Sequence, residues 1–275
     1  MNDFKFVSEE YSKNNTHKYR LSIQINPDGF SVLMIGEENT ILQIIHTQTN
    51  AIENTRKLFR SEENLINLRE LTFKSFDLFI NSPRCILLPA EEDIDIHPNL
   101  IAGLDFPMKE EDTLILRDLK TFGLRMVFVI PLSVKDFLSD FRNHPRIQHI
   151  TSKFLNIVIP DEMEETAVIY TTPGLLHFSL KSSDTIKFHN IFECRNDEEI
   201  VFHLMNTLRT LDYPSSKSIS YSGHLNKKSP YRKLLHSYLP GINELPNVLP
   251  FELSWDASES YFSYLLTDTS ADHQW

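Results

Sequence analysis

Glycine is scarce in this chain. Its 275 residues include only seven: Gly29, Gly36, Gly103, Gly123, Gly174, Gly223 and Gly241. Average usage is about 7%, so the shortfall is large. No two glycines are one residue apart, so no GxG occurs. That excludes the dinucleotide fingerprint and the Walker loop, which both need bare backbone close to a phosphate. Cysteine is nearly absent as well, with Cys85 and Cys194 alone and no CxxC or Cys/His cluster. The pair reads as two reduced, buried thiols of a cytoplasmic protein rather than a zinc module or a disulfide framework. Positive charge is short too: 27 Lys and Arg stand against 38 Asp and Glu, for a net charge of -11. A nucleic-acid binder shows a basic face, so this balance argues against DNA or RNA as partner. No uninterrupted apolar run approaches the length of a membrane span, and the start (Met1-Asn2-Asp3-Phe4-Lys5-Phe6) has no signal-peptide pattern. No membrane insertion is expected.

Hydrophobic residues make up 41% of the chain and phenylalanine alone contributes 19, enough for a sizeable core. Residues 1–17 are polar and read as loose. Tyr19–Asn26 alternates Leu21, Ile23 and Ile25 with Ser22, Gln24 and Asn26, a strand pattern. Pro27-Asp28-Gly29 follows, then the apolar run Phe30–Gly36. Proline suits the first central position of a turn and glycine a left-handed position after it, so this is a β-hairpin. A turn at Glu37–Asn39 and a third strand at Ile41–His46 complete a meander. Ser61–Thr72 reads as helix. Phe76–Asn81, Arg84–Leu88, Thr113–Asp118 and Arg125–Pro131 read as strands. Ser133 with Asp136 resembles a capping box, ahead of Val134, Phe137, Leu138 and Phe141 at helical spacing.

The second half repeats the plan. Thr166–Thr172, Leu175–Lys181 and Thr185–Phe192 are three strands. Asn196 then caps a helix carrying Val201, Leu204, Met205, Leu208 and Leu211. Ser218–Ser222 is a strand, and Ser229-Pro230 opens a helix that Pro240-Gly241 stops. Meander, strands and helices therefore occur twice, without a detectable sequence repeat. Composition and periodicity alone support only an α/β or α+β class.

Several stretches go further. LSIQINPDGFS at 21–31, ILLPAE at 86–91, FVIPLSVKDFL at 128–138 and RIQHITSKFL at 146–155 resemble a bacterial family with an actin-like ATPase fold and no established activity. So do IKFHNIFECRNDEEIVFHLMNTLRTL at 186–211 and ISYSGHL at 219–225. The resemblance spans nearly the whole chain. It implies an α/β protein of duplicated ribonuclease-H-like lobes, with the first lobe at 1–150 and the second, plus a C-terminal tail, at 151–275.

ATPases of this fold clamp nucleotide between the lobes. The hairpin turn of each lobe offers backbone amides to phosphate, a strand-end acid orders magnesium, and a glycine-bearing turn cups the adenosine. By that resemblance the cleft candidates here are Asp28 and Gly29 in the first turn, Thr171, Thr172 and Gly174 in the second, and Ser222 and Gly223 in the third. The chemistry around them is depleted. Gln24 or Asn26 stands where the acid belongs, and Pro27 and Pro173 donate no N–H. The expected function is a non-catalytic scaffold, a pseudo-ATPase that works through another protein and holds no cofactor. The alternative is an ATP-binding protein with divergent phosphate loops, which alone would call for ATP and magnesium.

Other side chains carry less. His144 and His149 are five apart and flank Pro145, which is not the helical spacing of metal ligands. His189 and His203 fall in a strand and a helix, where packing or exposure is the ordinary role. His224 follows Gly223 at the presumed cleft and is the histidine to watch. Glu91, Glu92, Asp93 and Asp95, and Glu162, Glu164 and Glu165, read as solvated loop charge. Cys194 beside Arg195 invites a lowered pKa, against the plainer reading of a buried thiol. Lys227, Lys228, Arg232 and Lys233 form a small basic cluster. Phe251, Trp255, Tyr261, Phe262 and Tyr264 pack on a lobe or face a partner.

Overall fold

The structure, a computed structural model, describes residues 4–27, 29–48, 68–90, 106, 108–155, 165–172, 174–182, 185–223 and 230–244. Two mixed sheets with the same strand order organise it. In the first, β2 (Arg20–Asn26), β3 (Gly29–Ile35) and β4 (Ile41–Gln48) form an antiparallel meander. Then β5 (Ser75–Ile80) runs parallel to β2, and β9 (Arg146–His149) parallel to β5. In the second, β10 (Thr166–Thr172), β11 (Leu175–Ser182) and β12 (Thr185–Glu193) are the meander. There β13 (Ile219–Gly223) lies parallel to β10, and β14 (Ile242–Glu244) parallel to β13. The first sheet is extended by β1 (Phe4–Val7) on its β4 edge. A three-stranded antiparallel sheet of β6 (Cys85–Pro89), β8 (Leu124–Ile130) and β7 (Thr113–Leu119) is inserted in sequence between β5 and β9.

The hairpin is where the sequence puts it, with Asn26 opposite Gly29 across two turn residues. The helix α1 (Leu132–Ser139) starts one residue before the expected Ser133. No side chain caps it. The Pro131 carbonyl accepts from the Val134 and Lys135 amides instead, so proline's fixed φ of -63 sets the helix entry. The short α2 (Ile150–Leu155) follows β9 directly. In α3 (Asp197–Thr210) the cap is as expected: Asn196 Oδ1 accepts from Glu199 N at 2.9 Å, and Glu199 Oε2 accepts from Arg195 N at 2.8 Å. The last helix, α4, is Pro230–Tyr238.

Residues 1–17 differ from their reading as loose. Phe4–Val7 is a strand and Lys13–Lys18 a 3-10 turn. A four-residue edge strand is held by backbone bonds to β4 and needs no apolar alternation of its own. Of the helix expected at Ser61–Thr72, only the end from Leu68 is described.

One apolar core fills the first lobe and crosses into the second. Val168, Tyr170, Leu175 and Ile191 of the second sheet are continuous with it. The other face of the second sheet carries a smaller core, where Ala167, Ile169, Leu176 and Phe178 meet Leu204 and Leu208 of α3 and Leu235 of α4. Gly241 joins α4 to β14, and its carbonyl accepts from Ile219 N at 2.9 Å. A Cβ there would overlap the Lys217 carbonyl, which is backbone and cannot step aside. We expect Gly241→Ala to cost on the order of 2–4 kcal/mol, read as a lower urea midpoint with an unchanged slope.

Candidate functional site

The carboxyl ends of β2, β5, β9 and β10 meet where the lobes join, the place where open α/β sheets carry their sites. Polar side chains close these ends, and all are buried. Asn81, immediately after β5, is 0% exposed and stands at the centre. Its Nδ2 donates to Asn26 Oδ1 at 2.9 Å and to Thr172 Oγ1 at 3.1 Å. Its Oδ1 accepts from His177 Nε2 at 2.8 Å. Gln24 Nε2 adds a 2.6 Å bond to Asn26 Oδ1. A single amide thus ties the end of β2 in the first lobe to β10 and β11 in the second.

A second chain of bonds runs beside it. Thr151 N donates to His149 Nδ1 at 3.2 Å, and His149 Nε2 lies 3.0 Å from the Ser82 carbonyl and 3.4 Å from the Ser82 amide. Thr151 Oγ1 bonds His149 Nδ1 at 3.0 Å and His189 Nε2 at 3.4 Å. His189 Nδ1 bonds Ser179 Oγ at 2.8 Å. The order Ser179, His189, Thr151, His149, Ser82 leads from β11 of the second lobe to the segment after β5 of the first. Phe154 of α2 packs against the rings of Tyr170, His177 and His189 at centroid distances of 6.4, 5.8 and 6.0 Å.

Burial decides the protonation of these histidines. It pushes His149 down to about 3 and His189 down to about 4. His177 is also held well below the usual value, first by burial and then by its histidine neighbours. The thiols go the other way. Burial raises Cys85 to about 12, and burial with the Glu199 charge raises Cys194 to about 12. Cys194 thus follows the plainer reading of a buried thiol: desolvation outweighs the exposed guanidinium of Arg195.

The expected cleft residues lie along the same edge. Thr171 and Thr172 are interior. Thr171 Oγ1 bonds Tyr221 Oη at 3.3 Å, and Thr172 Oγ1 accepts from Asn81. Gly174, with φ of 83, turns the second hairpin, where left-handed backbone favours glycine. A Cβ on it would lie 4.0 Å from the Pro27 ring, so the two hairpin tips almost touch. Gly29 closes the first hairpin. Ser222 is buried and pairs with Tyr170, and Gly223 pairs with Thr171. Asp28, Pro173, His224, Lys227, Lys228 and the aromatic segment from Phe251 onward lie outside the described residues.

A cavity of about 640 Å³ opens at the hairpin tips, lined by Pro27, Gly174, Glu193, Arg195, Glu199 and Phe202 among others. Phe202 is 64% exposed. Among the described residues, no three His, Cys, Asp or Glu converge as metal ligands. No helix there is long and apolar enough to cross a membrane.

Reading the sequence missed the central role of Asn81, His149, His177 and His189. A signal was present. LFIN at 78–81 and IQIN at 23–26 both end an apolar strand in asparagine, and IQH at 147–149 ends one in histidine. A polar residue closing each of three parallel strands marks the edge where sites form.

Two measurements follow from the network. Asn81→Ala strips partners from Asn26, Thr172 and His177 together and should cost about 3 kcal/mol or more in urea unfolding. The histidines stay neutral when folded but protonate near 6.5 when unfolded. Their stabilising contribution is complete above pH 6.5 and falls away as the pH drops toward 4. Each proton excluded steepens that loss by about 1.4 kcal/mol per pH unit, or about 4 kcal/mol for all three. His189→Asn should flatten the slope by one proton's worth even where it lowers stability, and an unchanged slope would refute the assignment.

Comparison with known proteins agrees with this fold. A Bacteroides thetaiotaomicron protein with an actin-like ATPase fold and unknown function superposes with a TM-score of 0.72 at 16% identity, over 86% of this chain and 93% of that one. A PilM-PilN type IV pilus biogenesis complex gives a TM-score of 0.54 at 11% identity, over 82% of this chain and 88% of that one. These likenesses and the twofold sheet order establish an actin-like fold of two lobes. No curated protein matches the sequence. Residues 8–242 match the family described as "Protein of unknown function (DUF3822)", and the chain belongs to that family.

Proposed function

We propose that this chain is a non-catalytic scaffold, an actin-like protein whose inter-lobe cleft has become a structural joint and whose work is to hold another protein. The observation that carries this reading is the Asn81 junction. Asn26, a neutral amide, stands at the strand end where a magnesium-ordering acid belongs, and its Oδ1 is taken by Gln24 and Asn81. The hydroxyls of Thr171 and Thr172 are turned inward onto Tyr221 and Asn81 instead of toward a phosphate. Among the described residues that line the space at the hairpin tips, Glu193 and Glu199 stand with Arg195 and His203, which offers a polyphosphate no surplus of positive charge. To admit nucleotide between these strand ends, the protein would have to break buried bonds that have no replacement partner.

The PilM-PilN neighbour is a complex in pilus biogenesis. We take from it the idea that this fold can serve by binding a partner, and the comparison rests on the fold alone.

Thermal melting separates this reading from the ATP-binding alternative. Millimolar ATP with magnesium should leave the melting temperature of the purified protein unchanged. A ligand that binds the folded state at a hundred times its Kd would add about 2.7 kcal/mol, which a melt reads as a rise of several degrees. A saturable rise that needs both ATP and magnesium would sink the scaffold reading.

A further inference from the structure

A second cavity, of about 370 Å³, shares no lining residue with the one at the hairpin tips. Its wall carries Arg117 and Asp118 of β7, Lys120 of the following turn, and Arg146 and Gln148 of β9, with Ser152 of α2 beside them. Leu119 and Met126 are its apolar floor, and both are buried. Three cations thus face one carboxylate in a chain of net charge -11.

Among the described residues, the acids nearby are already engaged. Asp118 Oδ1 accepts from Arg125 Nε at 2.8 Å, so that carboxylate of the wall is neutralised from outside the cavity. Asp77 Oδ1 accepts from Arg146 Nε at 2.7 Å and from Gln148 Nε2 at 3.1 Å, which fixes both side chains in place. Among the described residues, Arg117 donates to the carbonyl of neighbouring Leu116 at 3.3 Å. Among the described residues, neither Arg117 nor Lys120 has an ion-pair partner.

We propose that this pocket binds a small organic anion, a phosphate or carboxylate headgroup on an apolar body. Arg117 and Lys120 hold the charge, the planar guanidinium of Arg117 offering paired donors to two oxygens of either headgroup. Gln148 supplies a neutral donor through the second hydrogen of its amide, while the Ser152 hydroxyl is held by the His149 carbonyl at 2.8 Å. Leu119 and Met126 take the apolar part. The volume lies within the range of small-molecule sites. This site does not depend on the scaffold reading, since it uses no residue of the junction or the hairpin tips.

The test is titration of the full-length protein with phenyl phosphate and with phenylacetate, followed by calorimetry and by amide shifts. At least one probe should bind saturably in the millimolar range or tighter. Binding should weaken as salt rises, and the shifts should centre on Lys120, Gln148 and Ser152. The double variant Arg117→Gln, Lys120→Gln should lose about tenfold or more in affinity. Its melting point should match the parent, because both side chains are exposed. Preference for phenyl phosphate identifies a phosphate headgroup, preference for phenylacetate a carboxylate, and either result supports the site. Arg117→Lys reads the same site without charge loss, and it should weaken binding less than the double change. Three results overturn the proposal: no binding of either probe at low salt, equal binding by parent and double variant, or an acidic peptide that binds this wall where neither probe does.

Discussion

Asn81 has no access to water, so every bond of its amide must be found inside the protein. It finds three, and two of them reach across the lobe boundary to Thr172 and His177. An unsatisfied buried amide costs more than a made bond gains. The relative placement of the two sheets is thereby constrained: any rotation of one lobe against the other that lengthens these contacts leaves several orphans at once. The apolar core that continues from the first sheet to Val168, Tyr170 and Ile191 enforces the same placement. Hydrophobic burial supplies the stability and the polar junction sets the alignment.

Open α/β sheets carry their ligand sites at the carboxyl ends of their strands. In this protein the same ends are covered. Glycine survives at the turns, where the chain path demands it, as Gly174 shows, while the surrounding positions hold amides, hydroxyls and imidazoles that bond one another. Three histidines are buried among them, and burial keeps them neutral. Neutral imidazoles tolerate low dielectric and can donate and accept at once, though His177 Nδ1 and Asn26 Nδ2 have no partner among the described residues.

The elements that were legible in the sequence are those whose signal is local. The turn at Pro27-Asp28-Gly29, the alternation in β2 and the Asn196 cap each lie within a few residues, and each is present. What lay beyond reach depends on distant pairing. β9 and α2 follow one another without a break in RIQHITSKFL, so neither period completes a cycle. β1 is held by a partner about forty residues away. The partners of Asn81 are 55, 91 and 96 residues distant, so the polar residue that closes its strand marks an edge without telling which residues it bonds. The candidate turns were placed correctly on the strand ends, but Thr171 and Thr172 turned out to face inward. Strand alternation leaves that choice open when both faces of a sheet are covered, as the wholly buried β10 is.

The hydrogen bonds from Ser179 to Ser82 form one continuous buried file between the two sheets. The main-chain amide of Thr151 adds a further bond to the last ring. The longest contact in the file is the 3.4 Å between Thr151 and His189, where it passes from one sheet to the other. A load that parts the sheets would open that contact first and strand a buried imidazole nitrogen.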